Sequence, residues 1–154
     1  MIILSPQHLK QITDEAEAAY PNECCGLLVG TGNIHATLCV TRVVPSPNVT
    51  EHHQQDNFEI DPQVLFDTMR ALENNNEEII GHYHSHPDHP ALPSEKDLSM
   101  VYEPELAWLI TSVSKGQALM TNAFRPKPDA SSFESLEIRG TDWHELPTRD
   151  PQES

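Results

Sequence analysis

The sequence predicts an α/β domain, a mixed central sheet flanked by about three helices. Three observations predict it. Short segments rich in apolar and β-branched residues alternate with stretches of helical periodicity. Helix-start signals recur at Ser5-Pro6, Asp61-Pro62 and Ser94. The 154 residues fit one ordinary domain and leave little room for a second.

Each element follows from local chemistry. Ser5 caps a first helix with Pro6 in its first turn, and Leu9, Ile12, Ala16 and Ala19 recur at helical spacing until Pro21 stops the run. Residues 25–30 read as a short buried strand, and 37–44 as a second that ends at Pro45 and Pro47. Residues 45–57 are polar, carry His52 and His53, and read as an exposed loop. Asp61 caps a second helix with Val64, Leu65, Met69 and Leu72 on one side, ending in Asn74-Asn75-Asn76. Residues 78–84 form a strand, and a Pro-rich loop follows to Pro93. Ser94 caps a short helix to about Tyr102. Residues 106–113 and 117–124 pair around Lys115-Gly116, and 133–139 adds a strand. Residues 140–154 hold few apolar side chains and read as a loose C-terminal tail, so the domain is assigned to 1–139.

Composition excludes several function classes. Lys and Arg number 9 against 24 Asp and Glu, a formal charge of −15. Residues 1–77 hold 3 basic and 11 acidic side chains, and 78–154 hold 6 and 13, so the charge is spread evenly. A nucleic-acid partner needs a basic face and an anionic membrane needs a polybasic segment; neither is present. The first residues lack a basic and apolar leader pattern, and no apolar run approaches the roughly 20 residues of a membrane helix. A soluble, cytoplasmic protein is expected. Cys24, Cys25 and Cys39 have no zinc-knuckle spacing and are expected to be reduced.

One segment dominates the chemistry: Gly81-His82-Tyr83-His84-Ser85-His86-Pro87, followed by Ser94-Glu95-Lys96-Asp97. His84 and His86 are two apart, so on an extended backbone their imidazoles point the same way. Asp97, one turn into the helix begun by Ser94, adds an oxygen. Two nitrogens and one oxygen with a fourth position open is the pattern of catalytic zinc. Such a spacing would arise by chance in about two of a thousand chains of this composition. Water on zinc needs a general base that is not itself a ligand. Glu23, between a helix end and a buried strand, is the best placed, although on position alone a solvated residue is the simpler reading.

These residues resemble the JAMM (MPN-plus) zinc metalloproteases. Glu23, then His84-x-His86-Pro87, Ser94 and Asp97, carry the resemblance, together with the segments Glu23-Cys24-Cys25-Gly26-Leu27-Leu28 and Phe58-Glu59-Ile60-Asp61-Pro62. Those segments are similar to the small stand-alone prokaryotic type, and the likeness covers roughly residues 3–125. It implies a cytidine-deaminase-like fold and one zinc ion per chain with a catalytic water, held by His84, His86 and Asp97. It implies Glu23 as the base that passes a proton to the leaving amine, and Ser94 as a donor to the oxyanion. Ser94 is at the same time the helix cap. The implied reaction is hydrolysis of a peptide or isopeptide bond next to the C-terminal Gly-Gly of a ubiquitin-like or sulfur-carrier protein. Glycine suits a crowded groove because it brings no side chain.

Other readings are weaker. A non-catalytic MPN-type scaffold that only binds partners is the main alternative, but such members usually lack ligands retained here. A nucleobase deaminase needs a Pro-Cys-x-x-Cys pair, absent from this chain. JAMM-like DNA-repair proteins are disfavoured by the acidic charge. Ser85 must face away from the two histidines on a strand and reads as support. His82 reads as packing, His89 as a residue of the cleft mouth, and Trp108 as core. Oligomeric state, and whether loop 45–57 gates the site, stay open.

Overall fold

The computed structural model describes residues 1–140. Its elements are β1 (Ile2–Leu4), α1 (Pro6–Ala19), β2 (Cys25–Gly32), β3 (Leu38–Ser46), α2 (Pro62–Ala71), β4 (Glu78–Pro87), α3 (Glu95–Ser99), β5 (Ala107–Ser114), β6 (Gln117–Pro126), β7 (Phe133–Leu136) and β8 (Ile138–Gly140). The eight strands form one mixed sheet in the order β7-β6-β5-β4-β2-β3-β1-β8. The β4/β5, β1/β3 and β1/β8 pairs are parallel and the rest antiparallel. The predicted α/β class with three helices is therefore the observed one.

Strand alternation separates two cores. On β5, Ala107 and Leu109 face the core that α1 covers, with Ile2, Leu4, Ile12 and Leu28. Trp108 and Ile110 face the other, with Cys25, Phe58 and Phe124. The helix signals act as read: the Ser5 and Asp61 side chains accept the His8 and Gln63 backbone N–H groups at 3.0 and 2.9 Å. On β2, Gly26 admits the buried Tyr83 ring, since a Cβ there would lie 2.3 Å from the phenol oxygen. Tyr83 Oη in turn donates to Glu15 Oε1 at 2.6 Å.

Several boundaries differ from the sequence reading. β1, three residues long, was not foreseen, because so short a strand has no periodicity to read. β3 continues through Pro45 to Ser46, and β4 continues past His84 to Pro87. α3 ends at Ser99 rather than near Tyr102. α2 buries Thr68, while Leu65 and Met69 stand exposed; the helix packs chiefly on β4, so its apolar side is not an inward face.

The strand expected at 133–139 is two strands on opposite edges of the sheet. β7 pairs with β6 and β8 with β1, yet only Glu137 separates them. One residue thus carries the chain from one edge strand to the other, which brings the two ends of the sheet close together there, and Ile2 N–H donates to Glu137 O at 2.8 Å on the β1/β8 side. Gly140, placed in the tail by the sequence reading, is the last residue of β8, paired with Leu4. The rest of that tail, 141–154, lies outside the described residues.

Candidate metal centre

β4 sets His82, His84 and His86 on one face and Tyr83 and Ser85 on the other. β2 and β5 flank it, with Cys25 and Ile110 opposite His84, so the backbone carrying the imidazoles is hydrogen-bonded on both sides. The His84 ring stacks on Phe58 at 4.3 Å and 17°, and meets Trp108 edge-on at 5.8 Å. His86 is oriented by a hydrogen bond. Its Nδ1 lies 2.9 Å from Pro90 O, and a carbonyl can only accept, so Nδ1 carries the proton and Nε2 presents a lone pair.

Asp97 arrives from α3 through a reciprocal cap. Ser94 Oγ accepts the Asp97 N–H at 3.0 Å, and Asp97 Oδ2 accepts the Ser94 N–H at 2.9 Å. The carboxylate thereby meets both histidines, Oδ1 at 3.4 Å from His84 Nε2 and Oδ2 at 3.2 Å from His86 Nε2. The two Nε2 atoms are 3.0 Å apart. A tetrahedral zinc site with bonds of about 2.0–2.1 Å has ligand edges of about 3.3 Å. Three donors at that mutual spacing, all buried, fit a divalent ion; no other such group occurs among the described residues.

Electrostatics point the same way. Burial pushes the Asp97 carboxyl upward, but the His84 and His86 imidazoles against it, with the Ser94 N–H, outweigh it and hold the group well below the usual carboxylate range. Burial lowers His84 despite Asp97, and takes His82 down to about 3, so both stay neutral at physiological pH. Neutral imidazole is the form that ligates.

Glu23 lies just before β2 and is 6 % exposed, with Oε1 buried and no hydrogen-bond partner among the described residues. Its pKa is pushed up to about 9, first by burial, then by the negative charges of Asp97 and Asp56, with Lys96 opposing. Glu23, Ser94 and His86 line one cleft of about 420 Å³, whose wall includes Pro90, Leu92 and Pro93 and whose rim carries Asp56, His89 and Lys96. Ser94 is exposed, and its cap uses an oxygen lone pair, leaving the hydroxyl proton free to donate.

The five residues singled out in the sequence thus divide in two: His84, His86 and Asp97 converge on one point, while Glu23 and Ser94 share the adjoining cleft. His89 is exposed at its rim, and His82 packs on Trp108 at 4.4 Å. His52 and His53 are exposed and do not line that cleft. Sequence reasoning missed Lys96, which donates to Asp56 O at 3.1 Å and Asn57 Oδ1 at 2.9 Å and ties loop 47–60 to α3. It also missed Phe58 as the platform for His84. The signal for Phe58 was its place in the Phe58-Glu59-Ile60-Asp61-Pro62 segment; Lys96 had none beyond lying beside Asp97.

Comparison with known proteins places this geometry in a family. The desampylase of Haloferax volcanii is 32 % identical over 92 residues, 60 % of this chain and 63 % of its own length. The desampylase of Pyrococcus furiosus is 28 % identical over 116 residues, 75 % of this chain and 76 % of its own. A probable TtuB-protein conjugate cleaving protease of Thermus thermophilus is 31 % identical over 96 residues, 62 % and 57 %. The matches thus span less than two thirds of the Haloferax and Thermus relatives. Among solved structures, a protein of Desulfitobacterium hafniense superposes with a TM-score of 0.77 at 29 % identity, covering 94 % of this chain and 97 % of that one. A JAB1/MPN domain protein of Archaeoglobus fulgidus, at TM-score 0.59 and 20 % identity over 92 % of this chain and all of that one, shares the fold. The family model for prokaryotic homologs of the JAB domain matches residues 5–126, and the chain belongs to that family.

Proposed function

We propose that this protein is a zinc-dependent peptidase or isopeptidase that cuts next to the C-terminal Gly-Gly of a ubiquitin-like or sulfur-carrier protein. The observation that carries the reading is a buried two-imidazole, one-carboxylate donor set opening on a cleft whose wall holds a carboxylate that is not a donor. His84, His86 and Asp97 would hold the ion. When bound, zinc supplies Lewis acidity, polarising the scissile carbonyl and acidifying water.

The chain's own residues do the rest. Glu23, raised to about 9 by burial and by neighbouring carboxylates, would be lowered by an ion held at the donor set, and its carboxylate would take a proton from water and return it to the leaving amine. Ser94 Oγ–H donates to the developing oxyanion, a contact worth about 2–4 kcal/mol at other oxyanion sites. Pro90, Leu92 and Pro93 give the cleft an apolar wall along which an extended, glycine-bearing segment would lie. The relatives' names, desampylase and TtuB-conjugate protease, support a protein conjugate as substrate.

The test is incubation of the zinc-loaded chain with the host's ubiquitin-like proteins, carrying either a C-terminal extension or an isopeptide-linked partner, read by intact mass. Release at Gly-Gly by the wild type and its loss in Glu23→Gln is the expected result. Binding without cleavage would replace this reading with that of a non-catalytic partner-binding scaffold.

A further inference from the structure

The carboxylate of Glu23 lies on a segment that belongs to neither α1 nor β2, so something other than secondary structure must fix it. Its backbone is held from three sides. Glu23 N–H donates to Gln54 O at 2.8 Å, Glu23 O accepts from Asn48 Nδ2 at 3.1 Å, and the next amide, Cys24 N–H, donates to Ser85 Oγ at 2.8 Å. Two of the three restraints come from loop 47–60.

At the centre of that loop stands Asn48. Its Nδ2 donates to Glu23 O and to Asn57 O at 3.0 Å; its Oδ1 accepts from Thr50 N–H at 3.3 Å and Glu59 N–H at 3.0 Å. All four positions of the amide are used, two donors on carbonyls and two lone pairs on N–H groups, so the reverse orientation would fail at every one. The backbone carbonyl of Asn48 also accepts from Gln54 Nε2 at 3.2 Å, tying in the residue that receives the Glu23 amide.

We propose that Asn48 is a positioning residue for Glu23: through its amide it makes loop 47–60 the rigid mount of the general base. The inference rests on the reading of Glu23 as base. Only asparagine fits. Aspartate keeps both acceptor positions but sets its carboxylate against the carbonyls of Glu23 and Asn57, so Asn48→Asp spares the loop's internal turn and cuts the link to Glu23. A loop stitched in this way is a support for the site and not a gate.

The experiment uses the full chain. Amide hydrogen exchange of Asn48→Asp should show the Glu23 amide exchanging about tenfold faster, with the amides of β2 and β4 unchanged. Zinc content should remain at the wild-type level, and kcat on a cleaved conjugate should fall up to about a hundredfold with KM within about twofold. Unchanged exchange at Glu23 overturns the proposal, as does a rise in KM at constant kcat, which would assign Asn48 to substrate binding. Should Asn48→Asp not fold, Asn48→Ser gives the same readouts without the added charge. If the wild type cleaves nothing, the hydrolase reading fails, and the exchange data still decide whether Asn48 holds Glu23.

Discussion

Glu23 and the three donors answer different experiments because they hold charge differently. The Nε2 atoms of His84 and His86 lie against the Asp97 carboxylate, whereas Glu23 Oε1 is buried with no partner of either charge among the described residues. In the metal-free chain Glu23 has a raised pKa, about 9 against an ordinary 4.5. The stability linked to its neutral form is full below pH about 4.5 and is lost as pH rises toward 9. Metal-free Glu23→Gln escapes that loss. Its unfolding free energy from denaturant titration should match the wild type near pH 4 and exceed it progressively above, by on the order of 3 kcal/mol at pH 7. A constant offset across pH would contradict the assignment. For the donors, metal analysis should find one zinc per wild-type chain and none in His84→Ala or Asp97→Ala. The donors were legible in the sequence because two-residue spacing on a strand and a cap-relative position on a helix are local. Asn48 and Gln54 were not, since each acts on Glu23 across more than twenty positions and through backbone groups that carry no sequence signal; Phe58 was visible as part of a motif but not as the partner of His84.

Among the elements, α3 is small, yet it carries the most consequence. Five residues cannot hold a helix by propensity, so its reciprocal cap is its main local support. That cap is also what aims Asp97. Ser94→Ala should therefore cost about 1 kcal/mol of stability and weaken zinc binding about 10–100-fold, measured by chelator competition, with Ser94→Thr restoring most of it. Zinc affinity equal to the wild type would separate the cap from the site. Caps were the most readable feature of the chain: Ser5, Asp61 and Ser94 all act as side-chain acceptors at their helix starts. The inward face of α2 was not readable, because an apolar stripe records hydrophobicity and not whether a neighbour covers it. Leu65, Phe66 and Met69 stand exposed there, with Arg70 over the Phe66 ring at 5.6 Å.

At the scale of the whole molecule, the fold class was legible from the alternation of strands and helices, and the pairing at the β8 end of the sheet was not. Two three-residue strands, β1 and β8, bring residues 2–4 and 138–140 together, and pairings so distant leave no local pattern. A chain ending at Gly140 keeps β8, and one ending at Leu136 loses it. The second should unfold at lower denaturant, by on the order of 2 kcal/mol, with hydrogen exchange accelerated at β1. Equal midpoints would mean that β8 adds nothing to the sheet.

The Glu137 junction has a consequence for how the protein is made. Synthesis runs from the first residue onward, at about 5–20 residues per second. Until the 133–140 segment leaves the ribosome, β6 lacks its β7 partner and β1 lacks β8. A nascent chain holding every donor of the metal centre would still carry two open strand edges, each a template for pairing with another chain. The hazard lies at two places, and a single short piece of backbone that emerges after both covers the two longer-standing edges with the short strands β7 and β8.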